Sequence, residues 1–154
     1  MSRTQNKSTG KVTSVRPEEE VSLEILRTAS VLEHFLVEGL KQHGLTMTQY
    51  NVLRILRGAG ESGLCRNDVR DRMISPVPDA TRLIDRLIAA GYAQKDKSSQ
   101  DKRYTSTRIT DGGLKLLAEL DEPVLDMHRF QFEHLTEPEL HQLISLLKAA
   151  RKTV

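Results

Sequence analysis

A mainly α-helical fold with one small β-hairpin is what this sequence predicts, and three observations carry that expectation. Apolar side chains recur three and four positions apart through most of the chain, the period of a half-buried helix. Thr46 with Gln49 and Thr136 with Glu139 have the capping-box spacing that opens a helix. One segment, from Tyr92 to Ile109, drops that period: two strand-like runs flank a polar middle, and in the second Thr105, Thr107 and Ile109 alternate with Tyr104, Ser106 and Arg108.

The elements follow in order. Residues 1–17, MSRTQNKSTGKVTSVRP, are rich in Ser, Thr, Asn and Lys and read as a disordered basic arm. A first helix is expected from about Glu18 to His43, with Val21, Ile25, Ala29, Leu32, Leu36 and Leu40 on one stripe and Gly44 as its stop. The Thr46 box opens a second helix, with Leu45 and Tyr50 as its staple and Val52, Leu53 and Leu56 buried. The three glycines of GAGESG end it. A short third helix covers about Leu64 to Met73, with Val69 and Met73 inward and Arg66 and Arg70 outward.

SPVPD makes a sharp entry to a fourth helix, about Pro78 to Ala90; proline suits a first turn, where no N–H bond is lost. Its inner stripe is Ala80, Leu83, Ile84 and Leu87, and Gly91 caps it. Strands from Tyr92 to Asp96 and from Arg103 to Ile109 flank a charged tip, KDKSSQDKR. Thr110 caps a fifth helix, about Asp111 to His134, in which Pro123 should produce a kink. Its apolar lines are Leu114, Leu117, Asp121, Leu125, His128 and Phe132, and Leu116, Leu120, Val124 and Met127. A last helix, from the Thr136 box, should bury Leu140, Leu143, Ile144 and Leu147.

Helix–turn–helix followed by a hairpin is the winged helix-turn-helix pattern. The expected organisation is a basic arm (1–17), an N-terminal dimerisation helix (18–44), a winged helix-turn-helix lobe (45–110) and C-terminal dimerisation helices (111–154). The terminal helices carry more apolar lines than one small core can use, which points to a homodimer interface, isologous by the commonest symmetry.

Composition narrows the function classes. A chain of 154 residues, 38% hydrophobic and 29% charged, fits one folded domain or two lobes sharing a core. Aromatics are scarce, so the core is aliphatic. No apolar run approaches the ~18 residues that span a bilayer, and the first 17 residues lack the apolar stretch of a secretory signal. No membrane partner is expected. A single cysteine, Cys65, excludes an intrachain disulfide and fits a reducing cytoplasm. No nucleophile elbow, phosphate loop or paired catalytic motif occurs, so no enzyme activity and no cofactor are expected.

The net charge of +2 hides an uneven map. Residues 1–17 carry four basic and no acidic side chains, and residues 64–108 carry ten basic and six acidic; the two remaining blocks are each net negative by three. Positive charge gathered in one arm and one central block is the footprint of contact with a polyanion. On the fourth helix the inner stripe leaves Asp79, Arg82, Arg86 and Ala89 on the opposite face, with Thr81 and Asp85 at its flanks. Two arginines four apart repel each other unless an anion lies between them, and the arginine fork suits guanine or phosphate. The hairpin projects Lys95, Lys97, Lys102 and Arg103, and a narrow minor groove attracts such side chains. Asp101, two residues before Arg103, can orient its guanidinium. Arg66 and Arg70 are candidates for contacts to the DNA backbone.

LTMTQYNVLRILRGAGESGL, PDATRLIDRLIAAGY and DKRYTSTRITDGG resemble the MarR family of bacterial transcription regulators, over roughly Leu45 to Val124. The T-R-L-x-D-R-L run and the D-x-R followed by a strand and I-T-x-x-G are specific in combination. The resemblance implies a homodimer with interlocked first and last helices, bound to a pseudo-palindromic double-stranded DNA operator, most often as a repressor. It implies that Thr81, Arg82 and Arg86 lie on the recognition helix, at whose entry Pro78 and Asp79 are further candidates for DNA contact, and that Asp101 and Arg103 form the wing's minor-groove element. It also implies a small aromatic effector bound between dimer helices and DNA lobe. One departure is GYAQKD, where many members have arginine and this chain has Lys95; a point charge replaces a bidentate fork.

Cys65, beside Arg66 at the start of a helix, has the setting of a redox-sensing thiol, set against a small packing residue. His34, His43, His128, His134 and His141 show no ligand spacing, so no metal is expected. A winged helix can also dock an acidic protein partner, since fold does not fix function; duplex binding with a base preference separates that alternative from DNA reading.

Overall fold

The computed structural model describes residues 16–75, 77, 79–97 and 105–153, with backbone alone at 96, 97, 105 and 153. Its helices are α1 (Pro17–Lys41), α2 (Met47–Ala59), α3 (Arg66–Arg72), α4 (Ala80–Ala89), α5 (Asp111–Gln131) and α6 (Glu137–Ala150); its strands are β1 (Leu64–Cys65), β2 (Ala93–Lys97) and β3 (Thr105–Ile109). The strands form one antiparallel sheet in the order β1-β3-β2, with Ala93 opposite Ile109, Lys97 opposite Thr105 and Leu64 opposite Thr107. The mainly helical fold with a hairpin wing is therefore present as expected.

The chain divides into two compact units, residues 1–33 and residues 34–154. The described part of the first is α1 up to Glu33. Glu18, Glu19 and Glu20 occupy its first turn, where carboxylates complement the helix dipole. Its Val21, Leu26 and Val31 are exposed.

In the second unit one aliphatic core joins the end of α1, α2, α3, α4, α5 and the sheet. Leu40, Val52, Leu53, Leu56, Val69, Leu87, Leu117 and Leu120 are fully buried in it. The α2 capping box is closed in both directions: Gln49 N–H donates to Thr46 Oγ1 at 3.2 Å, and Thr46 N–H donates to Gln49 Oε1 at 2.9 Å. In α6, Glu139 accepts from the Thr136 N–H at 2.8 Å and from its hydroxyl at 2.7 Å, which holds this carboxyl below its usual range. Gly91 ends α4 with φ of 79°, a conformation that costs glycine little, and Tyr92 N–H then reaches back to Leu87 O at 2.9 Å.

Four expectations need correction. The third helix begins at Arg66, because Leu64 and Cys65 pair with β3 as a strand; two residues are too short a run for periodicity to reveal. The fourth helix begins at Ala80, with Asp79 as its cap. Along α5 neither apolar line is buried whole. Gly113, Leu117, Leu120 and Val124 face the core, while Leu114 and Leu125 are exposed. Asp121, placed on one of those lines, faces α2 instead and meets Arg57. In α6 no residue is fully buried: Leu143, Ile144 and Leu147 are exposed and Leu140 is half-buried, because among the described residues of the unit no element covers that face.

Arg57 Nη1 and Nη2 donate to Asp121 Oδ2 and Oδ1 at 2.8 and 2.9 Å. This bidentate pair ties α2 to α5. The hydrogen bonds lower the Asp121 carboxyl below its ordinary value and raise the Arg57 guanidinium above its own.

Candidate nucleic-acid interface

The site is built on α4. Ala80, Leu83, Ile84 and Leu87 turn into the core, so helical geometry leaves Thr81, Arg82, Asp85 and Arg86 exposed on the outer face. Asp79 starts the helix by accepting from the Arg82 N–H at 3.0 Å. The same carboxylate pairs with Arg82 Nε at 3.1 Å. Asp79, expected as an outward recognition residue, is thus both helix cap and holder of Arg82. The Nε contact orients the guanidinium and leaves its two terminal nitrogens to reach a base edge or phosphate. Arg86 meets no carboxylate among the described residues.

The expected wing cation Lys95 is not a solitary charge. Its Nζ lies 2.7 Å from Asp85 Oδ1, joining β2 to α4. Both side chains are half exposed, so the pair contributes little stability, on the order of 1 kcal/mol or less. Its effect is on position: it sets the base of the wing against the outer face of α4. Lys97 lies at the end of β2, with its side chain outside the described residues. Pro78, Asp101, Lys102 and Arg103 also lie outside them.

A cleft of about 170 Å³ opens between α3 and α4, lined by Arg66, Asn67, Arg70, Val77, Ala80 and Thr81. Arg66 Nη1 donates to Thr81 Oγ1 at 3.1 Å. Arg70 Nε donates to Asp71 Oδ1 at 3.1 Å. The outward positions of Arg66 and Arg70 agree with the sequence, and both are exposed. Asn67 was missed, since nothing in its spacing marks it. The hold of Asp85 on Lys95 was missed because it joins a helix to a strand.

Cys65 is half-buried, and its Sγ accepts from the Asp68 N–H at 3.4 Å. It caps α3, where serine or threonine is usual. Among the described residues no group of three or more His, Cys, Asp and Glu could hold a metal ion, and no helix is long and apolar enough to cross a membrane.

Comparison with known proteins places this geometry. No protein-family model matches the chain. The HTH-type transcriptional regulator YkoM of Bacillus subtilis is 30% identical over 125 residues, 79% of this chain and 77% of that protein. The multiple antibiotic resistance protein MarR of Salmonella typhimurium is 30% identical over 107 residues, 68% of this chain and 72% of its own length. The HTH-type transcriptional repressor IacR of Pseudomonas putida is 28% identical over 109 residues, 71% of this chain but only 64% of its own length. Among solved structures, a MarR transcription factor from Planctomyces limnophilus is 36% identical with a TM-score of 0.68, covering 87% of this chain and 97% of that one. A mutant MarR from E. coli complexed with operator DNA has a TM-score of 0.76 at 24% identity, covering 85% and 93%. With the winged helix in place and relatives at this identity and coverage, the chain belongs to the MarR family of HTH-type transcriptional regulators.

Proposed function

We propose that the protein is a homodimeric repressor that binds a pseudo-palindromic operator, each α4 reading one half-site in the major groove while the wings grip the flanking minor grooves. The observation that carries the proposal is the outer face of α4, where exposed Arg82 and Arg86 stand one helical turn apart beside β2. Support also comes from the operator-bound E. coli MarR that shares the fold and from the relative named as a repressor. In this reading Arg82 and Arg86 approach base edges, Arg66, Arg70 and Lys95 approach phosphates, and Lys97, Asp101, Lys102 and Arg103 supply the wing. Pro78 and Asp79 form the entry to the recognition helix. A small aromatic effector that weakens operator binding completes the proposal, by shifting the population of two states of the dimer.

The test is selection from a pool of random duplexes at two salt concentrations, followed by sequencing of what is retained. An enriched inverted repeat with half-sites about ten base pairs apart is the expected result. Retention that falls with salt but enriches no motif would reduce the protein to a polyanion binder. No retention would favour an acidic protein partner. With the selected duplex, Arg86→Ala should relax preference at one base by about 1–3 kcal/mol, and a loss equal for all sequences would demote Arg86 to a phosphate contact.

A further inference from the structure

The cleft between α3 and α4 combines chemistry that the open face of α4 lacks. Its polar lining is two guanidiniums, an amide and a hydroxyl, from Arg66, Arg70, Asn67 and Thr81, with no carboxylate among them. The Arg66 bond to Thr81 Oγ1 occupies a lone pair of that hydroxyl and leaves its proton to donate. A guanidinium carries five N–H donors, so Arg66 keeps most of its own. Asp71 takes the Nε and Nη2 edge of Arg70, at 3.1 and 3.0 Å, leaving the Nη1 edge. Several donors lining one cleft, with Asp71 on the far edge of Arg70 as the one carboxylate bonded to them among the described residues, fit one tetrahedral anion.

We infer that this cleft seats a single backbone phosphate of the bound duplex, and that Thr81 positions that phosphate rather than reading a base. The inference rests on the DNA-binding reading and deepens it by naming one phosphate seat and moving Thr81 out of base recognition. Thr81 takes this role because Arg66 of α3 holds its hydroxyl at the cleft. A duplex phosphate fits better than a free anion because the cleft is open to water. An isolated anion there gains little over its hydration shell, whereas a phosphodiester already held by the rest of the duplex arrives without a second loss of translational freedom.

The test replaces each phosphate of a selected duplex in turn by an uncharged methylphosphonate. Affinity is measured for the wild type and for Arg66→Ala, Thr81→Val and Thr81→Ser. In the wild type one position per half-site should stand out by about tenfold, the effect of one charge-assisted contact. In Arg66→Ala that position should no longer stand out, and the salt slope should fall by about one per half-site. Thr81→Val should weaken all sequences alike, and Thr81→Ser should restore binding. A position that still stands out in Arg66→Ala, or a changed base preference in Thr81→Val, would overturn the inference. So would saturable binding of inorganic phosphate to the DNA-free protein, lost in Arg66→Ala, with no methylphosphonate effect. A wild type that retains no duplex would overturn the DNA-binding reading and this inference together.

Discussion

Arg57 and Asp121 are 64 positions apart and meet through two N–H···O bonds. Sequence spacing had set Asp121 among apolar residues, and the pair explains why a carboxylate stands there. The Asp121 side chain is 48% exposed, so solvent screening limits the pair to about 1 kcal/mol or less. The folded state lowers the Asp121 pKa, so this contribution is present above the unfolded value, about pH 4, and is lost as pH falls through the lower folded one. Denaturant melts of the wild type and Asp121→Asn should therefore differ at pH 7 and converge as pH drops toward 2. A gap unchanged across that range would contradict the assignment. Gly113 carries a different constraint. A Cβ there would run into the Tyr92 carbonyl oxygen and the Ile109 side chain. Gly113→Ala should cost about 1–3 kcal/mol by overpacking; a melt unchanged by the substitution would show that the start of α5 can move away.

At the scale of elements, α4 was the most legible. Its stripe of Ala80, Leu83, Ile84 and Leu87 is buried as its spacing required, because an amphipathic helix on a core has one satisfactory rotation. Leu87→Ala should cost about 2–5 kcal/mol, measured by chemical denaturation, and a loss below 1 would mean that the core refills the gap. The Asp79 cap is worth about 1 kcal/mol, and Asp79→Ala should lower thermal stability while leaving Arg82 unheld. The α2 box was equally legible, since Thr46 and Gln49 satisfy each other locally. Less could be read from β1, which exists only because β3 offers it a partner. The cleft was likewise illegible: Arg66 and Thr81 are 15 residues apart, and only the packing of α3 against α4 brings them together. Local hydrogen bonds and periodicity are written in the sequence, whereas contacts between elements depend on packing that no single segment encodes.

At the scale of the molecule, α6 leaves Leu143, Ile144, Leu146 and Leu147 exposed. Apolar surface gathered on one helix is uncommon for a lone chain. A second copy of the chain is the occupant in the proposed dimer. Replacing Ile144 and Leu147 by glutamate should give monomers by sedimentation, with binding to a full operator reduced far more than binding to a half-site. An unchanged dimer would place the interface elsewhere. The most direct measurement of the central claim is the mass of the complex formed with a duplex selected from the random pool. Two chains on one duplex carrying an inverted repeat is the expected result. One chain per duplex, or no complex at all, would contradict a dimeric operator-binding regulator.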